Sequence, residues 1–322
     1  MRAATVGSVP TPVRLAFAVL AFVCLQTGAS AAPQARVSAG VYGDVARFDR
    51  LTGQRTESGL AFIGWDQGRT WGKQYGYFLD SLGDRPHIAL GTRRGGRIVV
   101  SPRAIAQGQG DAHLIGLSKA ISDSGKPVLL RPLGEPNNSA NPYCACHGGS
   151  QNATRWYRKA FQRAYVVMHG GPATAMSNKL RALGMPGIDT DLPPNPYPQM
   201  TVVWNPLAVG VPDVRGNHYR DYFPGLKFMD AYGNDYYDFG TYAFFRTAGL
   251  YQAYPSKPYM FPEWGLAVDD PGYVRAFAGF VRSHRRVKFI GFYNGVNGGR
   301  LDLARKPRSL AAYKRYIVPL VR

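Results

Sequence analysis

The 322-residue chain has few acids, few cysteines and no long apolar run after its N-terminus. Each shortage removes a class of function. Twenty acidic residues against thirty-nine lysines and arginines leave a formal charge of +19, so the chain suits anionic surroundings better than cationic ones. The cations are scattered rather than gathered into a block, and no nucleic-acid motif accompanies them, so no nucleic-acid partner is expected. The histidines show no H-x-x-x-H or H-E-x-x-H spacing, which argues against a zinc hydrolase. No G-x-S-x-G elbow occurs, which argues against a serine esterase. No glycine-rich phosphate loop follows an early strand, which argues against a dinucleotide-binding open sheet. No cofactor and no metal are expected.

The three cysteines are Cys24, Cys144 and Cys146. Cys24 falls in an export-type leader: Arg2 and Arg14, the apolar run LAFAVLAFVCL at 15–25, then Ala29-Ser30-Ala31 as the small-residue cleavage pattern. That run is too short to cross a bilayer as a helix. Residues 1–31 are therefore expected to be removed, leaving 32–322 as the mature, secreted chain. Cleavage takes away two arginines and lowers the charge from +19 to +17. An acidic cell-surface polymer is one partner that such a charge suggests, and a monomer is expected. Cys144 and Cys146 form a C-A-C arrangement. In an oxidising compartment a disulfide is the first expectation, with free thiols second. A metal site through His147 lacks a fourth ligand.

Aromatic residues, by contrast, are abundant at 13%. Most must pack the core, but flat rings in excess of that need suit the apolar faces of sugars. Eight short apolar or β-branched runs lie at 37–42, 60–65, 87–90, 127–133, 200–204, 228–232, 258–261 and 287–293. Helical patterns separate them, near 72–83, 111–124, 152–169, 240–252, 271–285 and 308–318. In 152–169 an Asn152 or Thr154 cap is expected, with Trp156, Ala160, Phe161, Ala164 and Val167 on the buried face. Strand and helix in alternation imply a parallel sheet covered by helices. Eight units without a break in composition imply a single-domain (β/α)8 TIM barrel, a fold of about 250 residues. The proline-rich stretch 184–199 reads as a loop into the fifth strand, and 205–227 as a long loop after it.

In such a barrel, acids at the C-terminal strand ends are the catalytic candidates. PVLLRPLGEPNN (127–138) drives an apolar strand into Arg131 and Glu135, and KPYMFPEWG (257–265) does the same into Glu263. A glutamate that ends a buried strand is costly unless it is paired or used. Two of them, on strands four and seven, supply the pair of carboxyl groups that glycoside cleavage requires, one to protonate the leaving oxygen and one to attack or stabilise the anomeric carbon.

These motifs, taken together, resemble glycoside hydrolase family 26, the β-mannanases and related endo-β-glycanases. The resemblance runs through GVYGD (40–44), FIGWD (62–66), DAHLIGLSKAISDSGKPVLLRPLGEPNN (111–138), TVVWNP (201–206), YFPGLKFMDAYGNDYYD (222–238), KPYMFPEWG and GFYN (291–294). It implies Glu135 as acid/base, Glu263 as nucleophile and Tyr237 as the tyrosine that hydrogen-bonds the nucleophile. It also implies Trp204 as part of the sugar platform and Arg131 as a positioner of carboxylates at the barrel mouth. Trp65, Asn138, Trp264 and Tyr293 complete the expected substrate contacts, and Asp235 is expected to fix its loop. The family usually carries histidine directly before the acid/base, where this chain has Gly134, so a polar sugar contact is missing or comes from elsewhere, with Asn137 and Asn138 the candidates. The expected function is a secreted, retaining hydrolase of mannan-like or other β-linked polysaccharide, neutral or anionic. The alternative is a non-catalytic carbohydrate-binding or cell-wall-associated protein on the same barrel.

Overall fold

The computed structural model describes residues 36–95, 97–238 and 244–321. The leader, Cys24 and the start of the helix expected at 240–252 lie outside the described residues. Eight parallel strands close on themselves: β1 (Ser38–Tyr42), β2 (Ser58–Ile63), β3 (His87–Leu90), β4 (Val128–Pro132), β5 (Met200–Trp204), β6 (Ala231–Gly233), β7 (Tyr259–Gly265) and β8 (Val287–Tyr293). Each pairs in parallel with the next, and β8 pairs with β1 through Ser38 opposite Phe289 to Tyr42 opposite Tyr293. The expected (β/α)8 barrel is the fold observed. Among the described residues, no helix is long and apolar enough to cross a membrane.

The helices outside the barrel are α1 (Val45–Thr52), α2 (Tyr75–Ser81), α3 (Pro102–Ala106), α4 (Asp111–Ser124), α5 (Thr154–His169), α6 (Ala173–Ala182), α7 (Phe244–Ala253), α8 (Pro271–Ser283) and α9 (Pro307–Tyr316). Three of these, α1, α3 and α6, are absent from the sequence expectations. Each is ten residues or shorter, too short for a helical period to stand out from its flanking loops. Helix α5 departs from expectation at two points. Its N-cap is Ala153, without a side-chain cap. Tyr157, not Trp156, joins Ala160, Phe161, Ala164 and Val167 in the core. Trp156 lies at the margin, where the cationic side chains of Arg103, Arg155 and Lys159 approach its ring. The sixth strand starts later than expected, because Phe228 sits in a 3-10 turn entered from Gly225 at φ 99°.

Alternation along the strands divides the core in two. Val128 and Leu130 of β4, with Val202 of β5, face the helices, whereas Leu129, Val203, Ala231, Met260 and Phe289 fill the barrel interior as a separate apolar plug. The next inward position above Leu129 on β4 is Arg131, two residues on. The same count on β7 fails: Met260 points inward, so Pro262 should follow it and Glu263 should face the helices. Three residues of β7 instead span two of β8, since Phe261 pairs with Ile290 and Trp264 with Phe292. That bulge shifts the phase by one, so that Glu263 enters the barrel mouth and Trp264 enters the helix layer. Gly291 makes room for it, because a Cβ there would lie 2.2 Å from the Pro262 carbonyl oxygen.

Candidate active site

Above the apolar plug opens a cleft of about 960 Å³, lined at its floor by Arg131, Glu135, Asp235 and Glu263. Arg131 is the hinge of this floor. Its Nη1 donates to Asp235 Oδ2 at 2.7 Å and its Nη2 donates to Glu263 Oε1. The Tyr237 hydroxyl donates to the other Glu263 oxygen at 2.7 Å. Both oxygens of the expected nucleophile are thereby oriented. Asp235 also accepts from the Asn205 amide at 3.0 Å and from the backbone N–H of Glu263 at 3.0 Å. It does more than fix its loop, since it locks the guanidinium and the β7 bulge together.

Glu135 reaches the same floor from the loop after β4. Leu133 and Glu135 adopt left-handed backbone angles, φ 51° and 49°, which turn the chain sharply out of the strand. Such conformations are costly for residues with a side chain and cluster at functional sites. The turn is held by the Asn205 carbonyl accepting from Glu135 N–H at 2.6 Å, and by Asn141 and Tyr143, whose side chains donate to the carbonyls of Glu135 and Gly134 at 3.1 and 2.6 Å. Asn138 donates to Glu135 Oε2 at 2.8 Å.

Two carboxyl groups share one guanidinium, and the Glu135 charge acts on it as well. Burial works against the charge on Arg131, but Asp235 and Glu263 outweigh it and hold the guanidinium protonated more firmly than usual. Burial, then the Glu263 charge, raise the pKa of Glu135. Burial raises Asp235 as well, with Arg131 opposing. Asp235 receives three N–H donors, each of which favours its carboxylate, whereas its hydrogen bond with Glu135 pushes Asp235 up and Glu135 down, and Glu135 also receives the Asn138 amide. Burial thus raises both Glu135 and Asp235 at this floor. The Tyr237 phenol, buried beside Glu263, is driven far upward and stays a donor.

Of the other expected contacts, Asn138 and Tyr293 line the cleft, but the three tryptophans do not face it. Trp204 is fully buried among Tyr219, Phe223 and Tyr254. Trp264 is fully buried between Phe277 and Tyr313, with the Phe277 ring centroid 4.0 Å away. Trp65 is buried against His113 outside the cleft. Trp204 and Trp264 point from their strands into the helix layer, which sequence motifs do not distinguish from the mouth, and Trp65 lies in the turn after β2. Exposed aromatic surface in the cleft comes instead from Phe62 and Trp71, 46% and 40% exposed. The ring of Phe62 meets Tyr42 edge-on at 5.2 Å, and Tyr42 packs on Tyr293 at 4.4 Å. Phe62 alternates with buried Ile63 on β2, the one signal that could have marked it. Asn137 makes no sugar contact: it is buried and paired reciprocally with the Leu207 backbone at 2.8 and 2.9 Å. At Gly134 a Cβ would sit 3.1–3.3 Å from the Arg131 side chain, so the pinned arginine occupies the room that a larger residue would need.

Cys144 and Cys146 are joined by a disulfide in the loop beside Tyr143. Among the described residues no group of three or more metal-ligating side chains is suitable for a metal ion.

Neither the protein-family models nor the curated protein sequences give a match to this chain. Solved structures do. The chain is similar to Bacillus subtilis mannanase man26 (TM-score 0.56, 17% identity, 88% of this chain and 86% of that one). It is similar to a family 26 β-mannanase from Bacteroides ovatus (TM-score 0.58, 13% identity, 89% and 90%). The B. subtilis YdhT protein gives a TM-score of 0.55 at 16% identity, over 88% and 87% of the chains. At these identities the likeness establishes a shared barrel architecture.

Proposed function

We propose that this protein is a glycoside hydrolase that cleaves β-linked polysaccharide with retention of configuration, and that it is a divergent member of glycoside hydrolase family 26. The observation that carries the reading is the floor of the cleft: the Glu135 carboxyl, whose pKa burial raises, beside the Glu263 carboxyl, held at both oxygens by Arg131 and Tyr237. Glu135 donates its proton to the glycosidic oxygen as that bond breaks, while a Glu263 oxygen attacks the anomeric carbon. Glu135, now a carboxylate, then takes a proton from water, whose oxygen displaces Glu263 from the glycosyl-enzyme. Arg131 and Tyr237 hold the Glu263 carboxylate in line and spread its charge. Phe62 and Trp71 offer rings for the apolar faces of the sugars. The mannanase names of the structural neighbours make a mannan-like chain the first substrate to try.

The test is a panel of β-mannans, β-glucans and β-xylans read by new reducing ends, with the anomer of the first product followed by NMR. The wild type should release reducing ends with the β-anomer first. Glu135→Ala and Glu263→Ala should each lose about 10⁴-fold or more of this activity while their thermal unfolding stays cooperative. Full activity in either variant would remove the assignment. Binding without turnover in the wild type would favour a carbohydrate-binding protein instead. We further propose export after removal of residues 1–31, which the Cys144–Cys146 disulfide supports, since disulfides persist in oxidising compartments. N-terminal sequencing of the extracellular protein, expected to begin at Ala32, checks this.

A further inference from the structure

The floor of the cleft is acidic, but its walls are not. The acidic residues that line it are Glu135, Asp235 and Glu263, all engaged around Arg131. Above that floor the charged side chains lining the walls are Arg93 and Arg246. Arg93 belongs to a small antiparallel hairpin after β3, in which Arg93 pairs with Ile98 and Arg94 with Arg97. The segment 91–101 contains three arginines and no acid. This hairpin is built into the barrel mouth rather than hung on it. The Trp65 N–H donates to the Arg93 carbonyl at 2.7 Å, and Gly64 must be glycine because a Cβ would lie 2.2 Å from that same oxygen.

The backbone of Arg93 is therefore fixed while its guanidinium is exposed. Among the described residues that guanidinium has no acidic partner. Its hydrogen-bond contact is a long one, 3.5 Å, to the Ala140 carbonyl. Its neighbour Arg94 differs, turning outward to Asp66 at 3.5 Å. Arg246 stands on α7, across the mouth, with its Nη1 4.0 Å from the exposed Asp213 carboxylate. A neutral glycan offers these cations only hydroxyl acceptors, whereas a chain carrying anionic groups meets a planar donor fork on each side through stronger, charge-assisted bonds.

We infer that the cleft is specific for an acidic β-linked glycan, with Arg93 and Arg246 receiving anionic substituents, carboxylate or sulfate, of sugars that flank the cleavage point. The inference rests on the glycoside hydrolase reading for its location, not for its test. The division of labour is physical. The buried network at the floor carries a net negative charge and suits an oxocarbenium-like centre, while the walls neutralise charge borne by neighbouring sugars. The formal charge of +17 left after the proposed removal of residues 1–31 adds long-range attraction for such a polymer.

Calorimetric titration of the Glu263→Gln protein separates binding from turnover. The probes are β-1,4-linked manno- and gluco-oligosaccharides of equal length, either unmodified, oxidised to the carboxylate at C6, or sulfated at C6. The acidic oligomers should bind about tenfold or more tightly than the neutral ones at low salt, and the difference should shrink as salt rises. Adding Arg93→Ala or Arg246→Ala should reduce the acidic-to-neutral affinity ratio several-fold each, and the double change should abolish it. The carboxylated and sulfated arms show which anion the walls prefer. Equal or tighter binding of the neutral oligomers, or a ratio indifferent to both arginines, overturns the inference. Wild-type assays on the same oligomers keep the two readings apart. Cleavage with a neutral preference sinks the acidic specificity alone, and acidic-selective binding without cleavage sinks the hydrolase reading alone.

Discussion

Replacing Arg131 with methionine tests the electrostatic design of the floor. Methionine keeps an unbranched apolar stem and removes the charge. The native guanidinium serves Asp235 and Glu263 at once, and its side chain is 4% exposed against 1% and 9% for theirs. Breaking such a buried pair costs about 3–5 kcal/mol near neutral pH, because the charges left behind have lost their partner. The cost should depend on pH with a definite sign. Asp235 and Glu135 already lie above the usual carboxyl range through burial, and Arg131 is what opposes that shift. Without it their folded-state pKa values rise further. A carboxyl whose pKa is higher folded than unfolded contributes its full stability below the unfolded value, and loses it as pH climbs towards the folded value, since the folded state then binds more protons.

The deficit of Arg131→Met should therefore be smallest near the unfolded carboxyl pKa of about 4, and grow by up to about 1.4 kcal/mol per pH unit for each extra proton retained. Urea unfolding of both proteins at about pH 4.5 and about pH 7.5 reads the difference directly, with coincident probes to confirm two-state behaviour. The deficit should exceed its acid value by more than about 1 kcal/mol at the higher pH. An equal deficit at both pH values would mean that Arg131 acts by packing alone, and the account of the floor given above would be wrong.

Other consequences are as direct. In Glu263→Gln the pKa of Glu135 should fall, because the Glu263 charge is one of the two influences raising it; carboxyl ¹³C NMR titration measures this, and an unmoved or higher pKa contradicts the coupling. In the wild type the alkaline limb of kcat/KM should lie above the ordinary glutamate range, since the proposed mechanism needs protonated Glu135, which is lost as pH rises through its raised pKa. Tyr237→Phe deletes the donor to Glu263 Oε2 and should lower kcat by roughly 10–100-fold, the worth of a hydrogen bond to a charged group; an unchanged kcat would deny it a part in orienting the nucleophile. Trp264→Ala should cost about 3–5 kcal/mol of stability, as expected when a large buried aromatic is truncated, whereas Phe62→Ala, half-exposed in the cleft, should leave the unfolding midpoint nearly in place and raise KM. The reverse pattern would restore Trp264 as a substrate contact.

The linear sequence determined the architecture and the two principal carboxyl groups. Runs such as VLL before Arg131, alternating with amphipathic stretches such as 111–124, can bury their apolar surface only as parallel strands under helices. In that arrangement the glutamate just past β4, Glu135, emerges at the barrel mouth. Tertiary structure alone decided which side of each strand faces the lumen. A parallel strand is apolar on both faces, so its residues do not announce the direction in which they point. The β7 bulge, invisible in KPYMFPEWG, sends Glu263 into the cleft and Trp264 into the helix layer. The same ambiguity made Trp204 look like a sugar contact while hiding Phe62. Long-range placement also set the chemistry of the floor. Arg131 bridges Asp235 and Glu263, 104 and 132 residues away along the chain, and closure of the barrel is what brings two such remote carboxylates to one guanidinium.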